Sequence, residues 1–149
     1  METPPQPEAT FGELISKSYW YLKTLLARRI RETGLKVSPE QWSVMMCIHG
    51  SPGLTQTQIS ERVIRDKTGV TRILDGLEKR GYVRRTPDES DRRAYRIYLT
   101  DEGEDALRTI IPIAAGLDGI AMTGLDAEER EFLIGKLSVV RFTLEEASR

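Results

Sequence analysis

The sequence predicts a mainly α-helical fold carrying one small β-hairpin, on three observations. Apolar residues recur at helical spacing along most of the chain. One stretch, residues 81–99, changes to the alternation of two strand arms around a turn. Directly before it lie two short helical segments, 55–63 and 67–80, joined by a tight connection.

The first predicted helix covers residues 9–31. Phe11, Leu14, Ile15, Leu22, Leu25 and Leu26 recur at its spacing, Lys17, Arg28 and Arg29 lie elsewhere on the cylinder, and Gly34 stops it. Ser38-Pro39-Glu40-Gln41 opens the second, with Ser38 as N-cap, Pro39 at the first helical position and Gln41 at the third. That helix carries Trp42, Val44, Met45 and Ile48 and ends at Gly50-Ser51-Pro52-Gly53. Thr55-Gln56-Thr57-Gln58 repeats the capping pattern and opens a short helix with Ile59 and Val63 inward. After Ile64-Arg65-Asp66 comes helix 67–80, ended by Gly81.

The hairpin arms are Gly81-Tyr82-Val83-Arg84-Arg85-Thr86 and Ala94 to Thr100, with Arg96 and Tyr98 outward and Ile97 and Leu99 inward. Pro87-Asp88-Glu89-Ser90 supplies the turn chemistry between them. Thr100 caps a further helix, which Pro112 is expected to interrupt and kink. Gly116, Gly119 and Gly124 loosen the stretch after Pro112, and Asp126-Ala127-Glu128-Glu129 caps a last helix. Phe132, Leu133, Leu137, Val140 and Leu144 share one face of it. There is no internal repeat.

At 149 residues, 39% hydrophobic and 30% charged, the chain suits one soluble domain over 9–149. No apolar run approaches the roughly 18 residues of a membrane span. Residues 1–8 are polar and Pro-rich and lack the regions of a signal peptide, so a flexible tail on a cytoplasmic protein is expected. One cysteine, Cys47, excludes an internal disulfide and a cysteine-rich zinc site. One histidine, one cysteine and no Gly-rich phosphate loop argue against an enzyme, and no cofactor or metal is expected.

The net charge of −1 averages over unlike segments. Residues 1–61 are neutral overall; residues 62–96 carry eleven basic and six acidic side chains, and residues 97–149 five basic and eleven acidic. The positive charge therefore falls on the paired helices and the hairpin, where phosphate contacts would need it. On a helical wheel Val70, Ile73, Leu74 and Leu77 of helix 67–80 form a core stripe, and Thr68, Arg72, Asp75 and Lys79 lie opposite with Thr71 beside them. A basic hairpin after such a helix suits insertion into nucleic acid. Arg72 suits a bidentate pair with guanine, and Thr68 or Thr71 a thymine methyl or a phosphate. Asp75 either accepts from a cytosine amine or, the favoured reading, restrains Arg72 or Lys79.

These residues make a winged helix-turn-helix over 39–99, and residues 57–100 strongly resemble the MarR family of bacterial transcription regulators. The most specific element is Asp-x-Arg followed six residues later by Leu-Thr, here Asp91, Arg93, Leu99 and Thr100. The Thr71-Arg72-Ile73-Leu74-Asp75 and Leu77-Glu78-Lys79-Arg80-Gly81 runs match the family's recognition helix and its exit, and the order of flanking helices extends the likeness to the whole chain. Gly69 departs from the small or hydroxylated residue common there, at roughly 1 kcal/mol in helix propensity.

The resemblance implies a homodimer, with 9–34 and 100–149 as the helical dimerisation region. Phe11, Leu14 and Ile15, with Phe132, Leu133, Leu137, Val140 and Leu144, are its candidate contacts. It implies a pseudo-palindromic double-stranded DNA operator, read by Lys67, Thr68, Thr71 and Arg72. Arg93 would enter the minor groove, with Arg92 and Arg96 near phosphates. Asp91 would brace the wing loop, and Asp66 would pair with Arg93; Asp66 also reads as a carboxylate favoured by a helix N-terminus. A repressor relieved by a small phenolic or carboxylate effector, acting at the nucleoid, is the expected role. Tyr19, Trp20, Trp42 and His49 are the effector candidates, although the tryptophans also read as packing and His49 as a helix C-terminal cation. Two competing readings are a winged helix that serves protein contacts without its own operator, and a redox-responsive regulator using Cys47. Peroxide-sensing relatives carry their thiol near the start of the first helix; here Cys47 lies among Met45, Met46 and Ile48, where a free cysteine acts as a small apolar residue.

Overall fold

The computed structural model describes residues 9–63 and 67–149. Its elements run α1 (Phe11–Glu32), α2 (Pro39–Gly50), β1 (Leu54–Thr55), α3 (Gln56–Arg62), α4 (Lys67–Lys79), β2 (Val83–Pro87), β3 (Tyr95–Leu99), α5 (Asp101–Ala121) and α6 (Ala127–Ala147). Local capping explains most of the starts. Ser38, Thr55 and Asp126 each accept a hydrogen bond from the backbone of the third helical residue, whose own side chain returns one to the cap's backbone.

The sheet is antiparallel with strand order β1-β3-β2. Val83 faces Leu99 and Arg85 faces Ile97 across the hairpin, and Leu54 faces Ile97 from the other side. The hairpin thus has a third strand beyond the two that the sequence predicts. Two residues are too few to show any period; beside them Gly53 donates to the Ile97 carbonyl at 3.0 Å and extends the pairing.

One core joins these elements up to Ala114. Ile30 of α1, Val44, Met45 and Ile48 of α2, Ile59 of α3, and Val70, Leu74 and Leu77 of α4 are fully buried, as are Ile97, Leu107 and Ile110. Each such aliphatic side chain contributes about 1.5–3 kcal/mol by leaving water.

Helix α5 is continuous across Pro112, contrary to the expected interruption. The ring removes one amide rung, but the turns before it are held by buried Leu107 and Ile110, so a single missing rung does not end the helix.

The chain divides within α5 into two compact units, one ending at Ala114 and the other covering Ala115–Arg149. In the second, Leu125 donates to the Met122 carbonyl at 3.0 Å, and Asp126 then caps α6. Helix α6 buries none of its side chains within this chain.

Candidate nucleic-acid interface

Helix α4 turns its apolar stripe to the core and leaves Lys67, Thr68 and Arg72 exposed near its start. Thr71 is half-buried. Its hydroxyl donates to the Lys67 carbonyl at 2.8 Å and accepts from Gln56 Nε2 at 2.5 Å. That contact ties the first turn of α3 to α4 and sets the angle between the two helices of the motif. Sequence reasoning places Gln56 only within a capping pattern and misses this second role.

Asp75 does not restrain Arg72 or Lys79. Arg85 reaches across from β2 and places Nη2 2.7 Å from Asp75 Oδ1, while its Nη1 donates to Glu78. Strand β2 leaves α4 through Gly81 and returns beside it, which brings a distant cation nearer to Asp75 than its helical neighbours. The Arg85 side chain is only 19% exposed. Burial works against its charge, but the hydrogen bonds and charges of Asp75 and Glu78 outweigh this and raise its pKa.

The wing turn is organised by Asp88, whose side chain is 5% exposed. One carboxylate oxygen accepts from the Ser90 amide at 2.8 Å, the Ser90 hydroxyl at 2.7 Å and the Asp91 amide at 3.0 Å. The other accepts from Arg96 Nε at 2.5 Å. The Ser90 hydroxyl and the two amides, with Arg96, hold the Asp88 carboxyl well below the usual carboxylate range. Asp91 contributes a smaller brace, accepting from the Arg93 amide at 2.9 Å.

Arg96 is exposed and has internal partners that the sequence does not show. Besides Asp88, it donates from Nη1 to the Gly53 carbonyl at 2.9 Å, so it fastens the wing to the turn before β1. Gly53 sits at φ +82° beneath the Tyr98 ring, and an added Cβ would lie 2.9 Å from the Tyr98 oxygen. Glycine alone suits both the conformation and the approach. Arg92 and Arg93 remain exposed.

Between the wing and the start of α4 lies a groove of about 480 Å³. Lys67, Arg85 and Arg93 line it with Gln56 and Thr57, and Asp91 is the one acid in its wall among the described residues. Cations and hydrogen-bond donors on two rigid elements can engage phosphate and base edges together. The expected pairing of Asp66 with Arg93 lies outside the described residues.

The other predicted residues separate. Tyr19 and Trp20 are exposed on α1, and Trp20 makes an edge contact with Tyr21, ring centroids 5.0 Å apart. Trp42 is half-buried, and its indole N–H is buried with no hydrogen-bond partner among the described residues. His49 lies seven residues farther along α2, about 10 Å away. Its Nδ1 is 2.9 Å from Glu104 of α5, so it ties two helix ends together. Cys47 is half-buried, and burial pushes its thiol pKa up, with the Arg62 charge acting the other way. Phe11, Leu14 and Ile15 on α1 and Phe132, Leu133 and Leu144 on α6 are exposed, Phe132 to 66%; Leu137 and Val140 are half-buried. Among the described residues no acidic, histidine or cysteine cluster could hold a metal ion, and no helix is long and apolar enough to cross a membrane.

Two short helices set at an angle, a third strand and a basic two-stranded wing define a winged helix-turn-helix protein. The MarR family model matches residues 37–95, from just before α2 into β3. The transcriptional regulator HosA of Escherichia coli O157:H7 is 36% identical over 94 residues, covering 63% of this chain and 70% of that protein. A MarR transcriptional regulator from Methanosarcina mazei Go1 has the same fold, with a TM-score of 0.85 at 26% identity, over 91% of this chain and 96% of that one. A cysteine-to-serine mutant of MarR from E. coli, solved in complex with operator DNA, superposes with a TM-score of 0.80 at 25% identity, over 87% and 91% of the two chains. The chain belongs to the MarR family of transcriptional regulators.

Proposed function

We propose that the protein is a homodimeric repressor that reads a pseudo-palindromic operator in double-stranded DNA and releases it when a small phenolic or carboxylate effector binds. The groove between α4 and the wing carries this reading, because Lys67 and Arg93 flank it beside a helix whose exposed start bears Thr68 and Arg72. On this reading the first two turns of α4 enter the major groove, where Arg72 pairs with guanine. Lys67 and Arg92 meet phosphates, and Arg93 enters the adjacent minor groove. The operator-bound structure of E. coli MarR, which shares the fold, supports this assignment.

The dimer rests on apolar surface. Phe11, Leu14 and Ile15 on one helix and Phe132, Leu133 and Leu144 on another are left open in the single chain. Soluble monomers rarely expose contiguous apolar patches of such residues. A two-fold dimer places its recognition helices in successive major grooves, roughly 34–36 Å apart. The indole N–H of Trp42, unpaired among the described residues, supports the effector, since a buried donor without a partner favours a ligand that can accept from it. Repression follows from occupying a promoter in the cytoplasm.

The test is selection of bound sequences from random double-stranded DNA at near-physiological salt, with sedimentation velocity on the same protein. A pseudo-palindrome with half-sites one helical turn apart and a two-chain particle are expected. Weak, uniform binding, or a monomer at micromolar concentration, would overturn the reading.

A further inference from the structure

Arg85 stands in an unusual position for a cation beside a nucleic-acid groove. It lines that groove, yet its guanidinium is taken up by Asp75 and Glu78, three residues apart on one side of α4. Residues at that spacing are neighbours on a helix, so the two carboxylates form a negative patch of their own. Both are exposed. Left alone, they would repel the phosphate backbone that the start of the same helix has to approach. Left alone, Arg85 would be one more sequence-blind phosphate contact.

We propose that Arg85 is a positioning residue for DNA recognition, acting through the two carboxylates of α4 rather than on the DNA: its cation offsets one of their two negative charges beside the groove, and they in turn neutralise it. The proposal rests on the DNA-reading assignment above. It makes the group a specificity device. The carboxylates withhold a cation from indiscriminate phosphate binding, and the cation lowers a barrier to the recognition helix. A guanidinium suits this because its planar fork engages both acids at once, one through each terminal nitrogen.

The experiment measures binding of the selected operator and of random duplex across a salt series, with unfolding of each variant followed by circular dichroism. Arg85→Gln should weaken operator binding about tenfold, because two uncompensated carboxylates now face the phosphates. The triple variant Arg85→Gln, Asp75→Asn, Glu78→Gln should recover to within about threefold of the parent. The pair Asp75→Asn, Glu78→Gln alters only exposed side chains and so keeps the fold. It should tighten binding to random duplex and steepen the salt slope by about one unit, as one freed cation would. Unchanged binding by Arg85→Gln would overturn the proposal. A triple variant as weak as Arg85→Gln alone would also overturn it, by making Arg85 a direct DNA contact. So would a pair variant with the parent's salt slope. A parent that fails to discriminate operator from random duplex would sink the DNA-reading assignment, and this proposal with it.

Discussion

Replacing Gly103 by alanine should destabilise the protein by about 2–4 kcal/mol. A Cβ at that position would lie 2.2 Å from the Tyr82 carbonyl oxygen and 3.1 Å from its carbon, both backbone atoms that cannot rotate away. An ordinary carbon-to-oxygen contact is about 3.3 Å, so the first turn of α5 must retreat by roughly 1 Å. That retreat stretches two hydrogen bonds at the wing's base, Thr100 N to the Tyr82 carbonyl at 3.0 Å and Thr100 Oγ1 to the Gly81 carbonyl at 2.5 Å. Each is worth about 1 kcal/mol. Overpacking adds about 1–3 kcal/mol, and the better helix propensity of alanine returns about 1 kcal/mol. For a chain of this length the loss corresponds to a Tm lower by roughly 5–15 °C. Gly50→Ala is the internal control. Gly50 ends α2 with nothing within 4 Å of its added Cβ, so a neutral or slightly stabilising effect is expected. Thermal and urea unfolding of both variants measure the difference. A Gly103→Ala protein as stable as its parent would show that α5 does not press on Tyr82.

Arg93→Ala should weaken binding to all DNA sequences and flatten the salt slope by about one unit; an unchanged slope in a filter-binding titration argues that Arg93 touches no phosphate. Arg72→Ala should cost about 1–3 kcal/mol and relax preference at one position per half-site, whereas uniform weakening across a sequence library would make Arg72 a backbone contact. Because the Asp88 carboxyl is held below its ordinary value, its contribution is complete above the usual carboxylate pKa of about 3.9 and is lost only as pH falls toward the lower folded value. Protection of the Ser90 and Asp91 amides in hydrogen exchange should therefore persist at pH 4 in the parent and be absent at all pH values in Asp88→Ala, which has no acceptor oxygen; protection in that variant would refute the role. Cys47, its thiol raised by burial, should react with a disulfide reagent at about pH 7.5 at least roughly tenfold more slowly than a free thiol, and equal rates would revive a redox role.

The part of the fold legible in the sequence is the part that local chemistry decides. Ser38, Thr55 and Asp126 announce helix starts because a cap and its third helical residue lie within four positions of each other. The hairpin arms show their period, and Ile97 is buried as that period requires. The groove-lining cations Lys67 and Arg93 and the exposed Arg72 are legible from wheel, charge and family likeness. The misses depend on contacts between distant positions. Asp75 looks like a partner of Arg72 or Lys79 on a wheel, but Arg85, ten positions away, reaches it first. Arg96 is outward as strand alternation requires, but alternation carries no news of its bond to Gly53, 43 positions earlier. Asp88 reads as turn chemistry; its near-complete burial arises only once β3 folds back beside it.

The wing turn is closed by bonds among residues 88–96 and to Gly53, all within the chain itself. Its shape does not wait for a duplex to mould it. Association should therefore lack the large negative heat capacity and unfavourable entropy that mark a segment folding onto its target. Calorimetry across a temperature series should show a heat capacity accounted for by the surfaces brought together, and little more.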